Sequence, residues 1–153
     1  MNRNPAKIFL RQYLALTGRI DALTDAINSA MDRAFNISVT LKQVQVKSSP
    51  AEHDTMARDV CNAVDATELL RSERDEASKK LFEILTAINS LKDERQKELL
   101  TMRYINGYSF AKIQQKMGYE QTQTYVIHGR ALVEINKWLV ARDAKSSSLQ
   151  RLP

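Results

Sequence analysis

The sequence predicts an all-α protein, a long antiparallel helical hairpin followed by a C-terminal helix-turn-helix, and three observations carry that reading. Apolar residues recur in alternating steps of four and three over two long stretches. Four Gly and three Pro in 153 residues leave little for β-turns, and no alternating apolar and polar run is long enough for a sheet. Near the C-terminus a short amphipathic segment, a Gly-containing turn and a longer segment follow one another in the outline of a DNA-binding motif.

The first helix opens with Asn4 as cap and Pro5 at the first position, where a missing N–H costs nothing. Phe9, Tyr13, Leu16, Ile20, Leu23, Ile27, Ala30 and Ala34 then form a heptad seam, so this helix packs along its length. Residues 35–48, FNISVTLKQVQVKS, carry β-branched and polar residues without caps and read as an extended crossing segment. Order restarts at Ser49, where Ser49, Pro50 and Glu52 resemble a capping box. A second seam runs through Met56, Val60, Ala63, Thr67, Leu70, Arg74, Ala77, Leu81, Ile84, Ile88 and Leu91, predicting a helix of about 40 residues, roughly 60 Å at the standard rise. Two matched seams joined by one connection fold back most simply as a hairpin. Thr67 and Arg74 interrupt the second seam: such polar residues either set register or oligomeric state, or pack their stems while their heads reach water.

Asp93 and Gln96 resemble another capping pair, opening a helix from Glu94 to Ile105 whose Leu99, Leu100, Met102 and Ile105 can pack beneath the motif. Asn106 and Gly107 stop it, being residues that tolerate the left-handed conformation of a C-terminal cap. Ser109 offers the next N-cap, and Phe110, Ile113 and Met117 place one apolar face on a helix of two turns. Gly118 to Glu120 form the turn, and a third helix runs from Gln121 to about Leu139. If Thr124, Ile127, His128, Ala131 and Ile135 face inward, the 100° step puts Thr122, Gln123, Val126, Gly129, Arg130 and Val133 outward. Past Trp138 the pattern fades, and 143–153 read as a flexible tail. The expected domains are therefore a hairpin over 1–92, a helix-turn-helix domain over 93–142 and the tail.

Chemically, the outward face suits base edges. Gln123 can address adenine, Arg130 guanine or a phosphate, and Val126 a thymine methyl. Gln121 lies at the same helix start; Thr122, Tyr125, Lys112 and Lys116 suit phosphate contacts that position the helix. For the two lysines the competing reading is a solvated charge, and for Tyr125 and Trp138 core packing. The net charge of +5 is uneven: residues 1–50 carry seven basic against three acidic side chains, 51–92 six against nine, and 93–153 ten against six. The basic excess thus coincides with the motif and the first helix, as a polyanionic partner would require.

Other classes fit poorly. The single Cys61 excludes an internal disulfide and a cysteine-based zinc site, and its position beside Val60 and Val64 reads as a buried thiol. His53 and His128 lie on different elements, with no nucleophile, carboxylate or further ligand at catalytic or metal-binding spacing, and no Gly-rich phosphate loop occurs. We expect no enzyme, no cofactor and no metal. The N-terminus lacks a secretory apolar run, and no stretch approaches the roughly 20 apolar residues of a membrane span; a soluble intracellular protein is expected.

The segments Arg103-Tyr104-Ile105 with Gly107, Met117-Gly118-Tyr119, and Tyr125 with Ile127-His128-Gly129-Arg130-Ala131-Leu132 carry a resemblance. Together with VQVKSSPAEHDTMA and the long helix before the motif, they resemble the ArpU/RinA-like late-gene activators, small phage transcriptional regulators of Gram-positive bacteria whose helix-turn-helix is similar to region 4 of sigma factors. The resemblance implies control of phage or prophage genes in the host bacterial cytoplasm, with double-stranded DNA as partner and the hairpin serving dimerisation or contact with RNA polymerase or another regulator. Glu120 stands where such proteins usually have Ser, and Val126 where a basic residue is common; both lower phosphate attraction at that helix. Two other classes share the outline: a phage packaging protein of the small-terminase type, and a coiled-coil adaptor or antirepressor that binds protein.

Overall fold

The computed structural model describes residues 4–44 and 50–150. All regular structure among them is helical: α1, Pro5–Val44; α2, Pro50–Asn89; α3, Glu94–Leu100, which continues as a π turn over Thr101–Ile105; α4, Phe110–Met117; and α5, Gln121–Leu149. None of these helices is long and apolar enough to cross a membrane. The long helices α1 and α2 pack against each other as an antiparallel hairpin, and the chain divides into two compact units, Thr17–Lys79 and Met1–Leu16 with Lys80–Pro153.

Within Thr17–Lys79 the seams hold. Leu23, Ile27 and Ala30 of α1 and Thr67 and Ala77 of α2 are buried, and Arg19 donates to Glu73 across the pair at 2.8 Å. The polar seam residues have local explanations. Thr67 Oγ1 donates to the Ala63 carbonyl at 2.8 Å, so its hydroxyl is satisfied inside its own helix. Arg74 is half-buried and its Nε lies 3.9 Å from the adjacent Asp75, the arrangement of a packed stem with a wet head.

Three sequence readings are corrected. Residues 35–44 are not extended: α1 continues to Val44, because the seam spacing itself continues through Ile37, which is half-buried, and Thr40 Oγ1 bonds the Asn36 carbonyl at 2.9 Å. A heptad pattern outweighed the modest helix propensity of β-branched residues. Residues 45–48, and Ser49 of the expected capping box, lie outside the described residues, as does the Glu52 side chain; α2 begins at Pro50. Cys61 is exposed rather than buried, since one helical step from seam residue Val60 turns it 100° away. The stretch from Asp143 onward is also helical, α5 continuing to Leu149 with Ser148 Oγ bonded to the Ala144 carbonyl at 2.9 Å.

The second unit has one core, in which Ala6 and Leu10 of α1, Ile84, Ala87 and Ile88 of α2, Leu99 and Leu100 of α3 and Ile113 of α4 pack with Ile127, Ala131, Leu132 and Ile135 of α5. Asn4 caps α1 by accepting from Ala6 N–H at 3.1 Å. Asp93 caps α3 by accepting from Arg95 N–H, and the Arg95 guanidinium bonded to its carboxylate holds that group below the usual carboxylate range.

Candidate nucleic-acid interface

The site begins at the end of the α3 helix. Asn106 N–H returns to the Thr101 carbonyl at 3.0 Å and Tyr108 N–H to Met102 at 2.9 Å, wide closures that suit a π turn. Gly107 takes φ +71°, the left-handed value that glycine adopts without strain. Arg103 then locks the connection, donating from Nη1 to the Tyr108 carbonyl at 2.8 Å with its guanidinium 4.6 Å from the centre of the Phe110 ring.

Ser109 caps α4 through its hydroxyl, which accepts from Lys112 N–H. Phe110 and Met117 are partly buried beside fully buried Ile113, which seats the expected apolar face. Lys112 and Lys116 of the same helix are exposed. The Lys112 ammonium sits 3.9 Å from the Tyr108 ring centre and that of Lys116 5.6 Å away, so an aromatic face holds two cations near one another. At the end of α4, Gly118 adopts φ +69° and Tyr119 N–H returns to the Gln114 carbonyl at 3.2 Å, the backbone closure of a Schellman-type stop.

Glu120 occupies the N-cap of α5 in extended conformation and makes no side-chain cap bond. Thr124 lies beneath it, fully buried, its hydroxyl donating to the Glu120 carbonyl at 3.0 Å. Ile127, His128, Ala131 and Ile135 follow on the buried side. Gln121, Thr122, Gln123, Val126, Gly129, Arg130 and Val133 are exposed, so the expected inward and outward sets are both in place. Tyr125 divides its role, with 47% of its surface exposed and its ring 4.8 Å from Phe110. Trp138, by contrast, lies against Phe9 with ring centres 5.9 Å apart and belongs to the core.

His128 is the one titratable side chain in the interior of this element. Its Nε2 is hydrogen-bonded to the Tyr104 hydroxyl at 3.0 Å, and its ring meets the edge of Phe110 at 5.1 Å. Burial, with smaller contributions from Lys7 and Arg103, pushes its pKa down to about 4, so the imidazole is neutral at physiological pH. Burial likewise raises Tyr104. The pair is therefore uncharged and supports the packing of α5 against the α3 end.

All eight residues singled out in the sequence are exposed: Lys112 and Lys116 on α4, and Gln121, Thr122, Gln123, Tyr125, Val126 and Arg130 on α5. Arg103 carries no signal in residue spacing, because its position on Phe110 depends on the π turn that holds it. Among the described residues no group of three or more His, Cys, Asp or Glu is placed to hold a metal ion.

A helical chain with this short helix, three-residue turn and long helix matches the model of one protein family over residues 38–136. It belongs to that family, DUF1492, described as proteins of unknown function. No curated protein and no solved structure matches the chain.

Proposed function

We propose that the chain is a sequence-specific DNA-binding regulator of phage or prophage late genes, which inserts the outward face of α5 into a major groove. The observation that carries this reading is the joint exposure of Thr122, Gln123, Val126 and Arg130 on a helix held by α4 and a three-residue turn. A groove admits one helix and demands polar groups of this type on its leading face. Arg130 forms no ion pair among the described residues, and Lys112 and Lys116 extend the cationic border. The resemblance to the ArpU/RinA-like activators points the same way, and the hairpin then serves self-association or polymerase contact.

The test is titration of labelled source-genome DNA, comparing selected with scrambled sequences. Arg130→Ala should cost about 1–3 kcal/mol on the selected site and relax preference at one position, while Lys116→Ala should weaken all sequences alike. Absence of any DNA binding above the background of a +5 protein overturns the reading. One observation favours a protein-binding adaptor instead: Val126 and Val133, seven residues apart, are 45% and 52% exposed, an apolar pair that a partner helix would cover. A packaging subunit is separated by mass, since it should assemble into a large ring.

A further inference from the structure

We propose that Lys7 and Arg11 of α1, together with Arg103 of the π turn, form a second phosphate-binding strip that grips the DNA backbone beside the groove entered by α5. The proposal rests on the reading of α5 as a DNA-reading helix and adds the first helix to the contact surface. Lys7 and Arg11 are four residues apart and share a face of α1. Ala6 and Leu10, one position and so about 100° before each, are fully buried and hold this stretch of α1 against the core.

That start of α1 is fastened to α5 directly. Asn136 Oδ1 accepts from Ala6 N–H at 2.9 Å, and Asn136 Nδ2 donates to Asn4 Oδ1 at 3.1 Å. One helical turn beyond Arg11, Leu14 Cδ1 lies 3.4 Å from where a Cβ on Gly107 would stand, so α1 also runs beside the turn that holds Arg103. Charge and position agree. The positive charges of Lys7 and Arg103 help to lower the pKa of the His128 imidazole, and those of Arg103 and Arg11 act on Tyr104 against the larger effect of burial.

None of the three has a carboxylate partner among the described residues, although many other cations of the chain do, among them Arg19, Lys97, Lys137 and Arg142. Like charges gathered without counter-ions repel one another, and a phosphodiester strand relieves that repulsion while releasing its own condensed cations. The strip also borders the reading face. The Arg103 guanidinium lies 4.6 Å from the centre of the Phe110 ring, which in turn lies 4.8 Å from that of Tyr125, so a backbone touching Tyr125 passes next to Arg103. Such contacts position a protein on DNA without reading sequence.

The experiment is equilibrium binding of the full chain to selected and scrambled duplexes at several salt concentrations. Replacing both α1 cations, Lys7→Ala with Arg11→Ala, should lower affinity for the two duplexes by the same factor. It should also reduce the slope of log affinity against log salt by about two units, since each lost phosphate contact removes about 0.9. Lys7→Arg with Arg11→Lys should restore the slope, and the melting temperature should stay near that of the native chain. Three outcomes overturn the proposal. An unchanged slope in the folded double variant, while native protein binds DNA and Arg130→Ala loses sequence preference, removes the strip and leaves the reading of α5 intact. Failure of the native chain to bind any duplex removes both. Displacement by polyglutamate of a labelled acidic peptide, with no DNA bound by the same face, assigns the strip to a protein partner.

Discussion

The Tyr104 hydroxyl lies 3.0 Å from Nε2 of His128, in the interior where the end of the α3 helix meets α5. This bond joins a polar tip from each side of an otherwise apolar contact, and Phe110 closes it edge-on. A buried donor and acceptor that satisfy one another stabilise modestly, whereas either one alone carries its full desolvation cost. Tyr104→Phe should therefore destabilise by about 1–2 kcal/mol despite removing a single oxygen. Urea denaturation checks this, and an unchanged midpoint would mean that water replaces the phenol.

The same imidazole makes stability pH-dependent. Its pKa is about 4 in the folded chain against an ordinary 6.5; the folded state therefore binds fewer protons than the unfolded one. The contribution is complete above about pH 6.5 and is lost progressively as pH falls through 4, amounting to about 3 kcal/mol. The difference in melting temperature between native protein and His128→Gln should shrink over that window. A constant difference from pH 7 to pH 4 would place His128 in water.

The two caps of the helix pair should respond in opposite directions. Ser109 supplies a bond to Lys112 N–H at 3.2 Å, so Ser109→Ala should cost about 1 kcal/mol. Glu120 supplies none, and Glu120→Ser should add about 0.5–1 kcal/mol by giving α5 a cap. On the proposed function, Glu120→Ser should also strengthen DNA binding, because it removes a negative charge at the helix start. Equal melting temperatures for Glu120→Ser and native protein would show the new hydroxyl turned to solvent.

Two glycines separate backbone strain from crowding. A Cβ at Gly118 meets nothing within 4 Å, while one at Gly107 meets Leu14 at 3.4 Å; both residues have φ near +70°. Gly118→Ala should cost about 1 kcal/mol from conformation alone. Gly107→Ala should cost that or slightly more, since an ordinary van der Waals contact adds little. A loss several times larger at Gly107 in thermal melting would show Leu14 unable to yield.

In the hairpin, Ile27 is 3% exposed on the α1 seam. Ile27→Ala should destabilise by about 2–4 kcal/mol through lost burial and the cavity left behind. Val64→Ala, at a side chain half exposed on α2, should cost under 1 kcal/mol. Comparable losses at both positions would mean that Val64 is covered, and sedimentation of the native chain then identifies self-association.

Where residue spacing carries information at one helical period, the sequence alone determined the outcome. The two seams and the division of α5 into buried Thr124, Ile127, His128 and exposed Gln123, Val126, Arg130 follow from which side of a helix a residue occupies, while the cap at Asn4 and the stop at Gly118 follow from a side-chain acceptor and a left-handed backbone. Hydrophobic burial acts face by face, so periodicity reports it directly. The helicity of 35–44 was present in the same spacing but masked by β-branched residues whose local preference is weak against packing. Only the tertiary structure decided what meets across elements: Tyr104 with His128, Arg103 over Phe110, and Leu14 of α1 beside Gly107 in a turn far along the chain. Those juxtapositions depend on the path of the backbone through a π turn and on the angle at which α1 crosses the C-terminal helices, and no local pattern of side chains encodes either one.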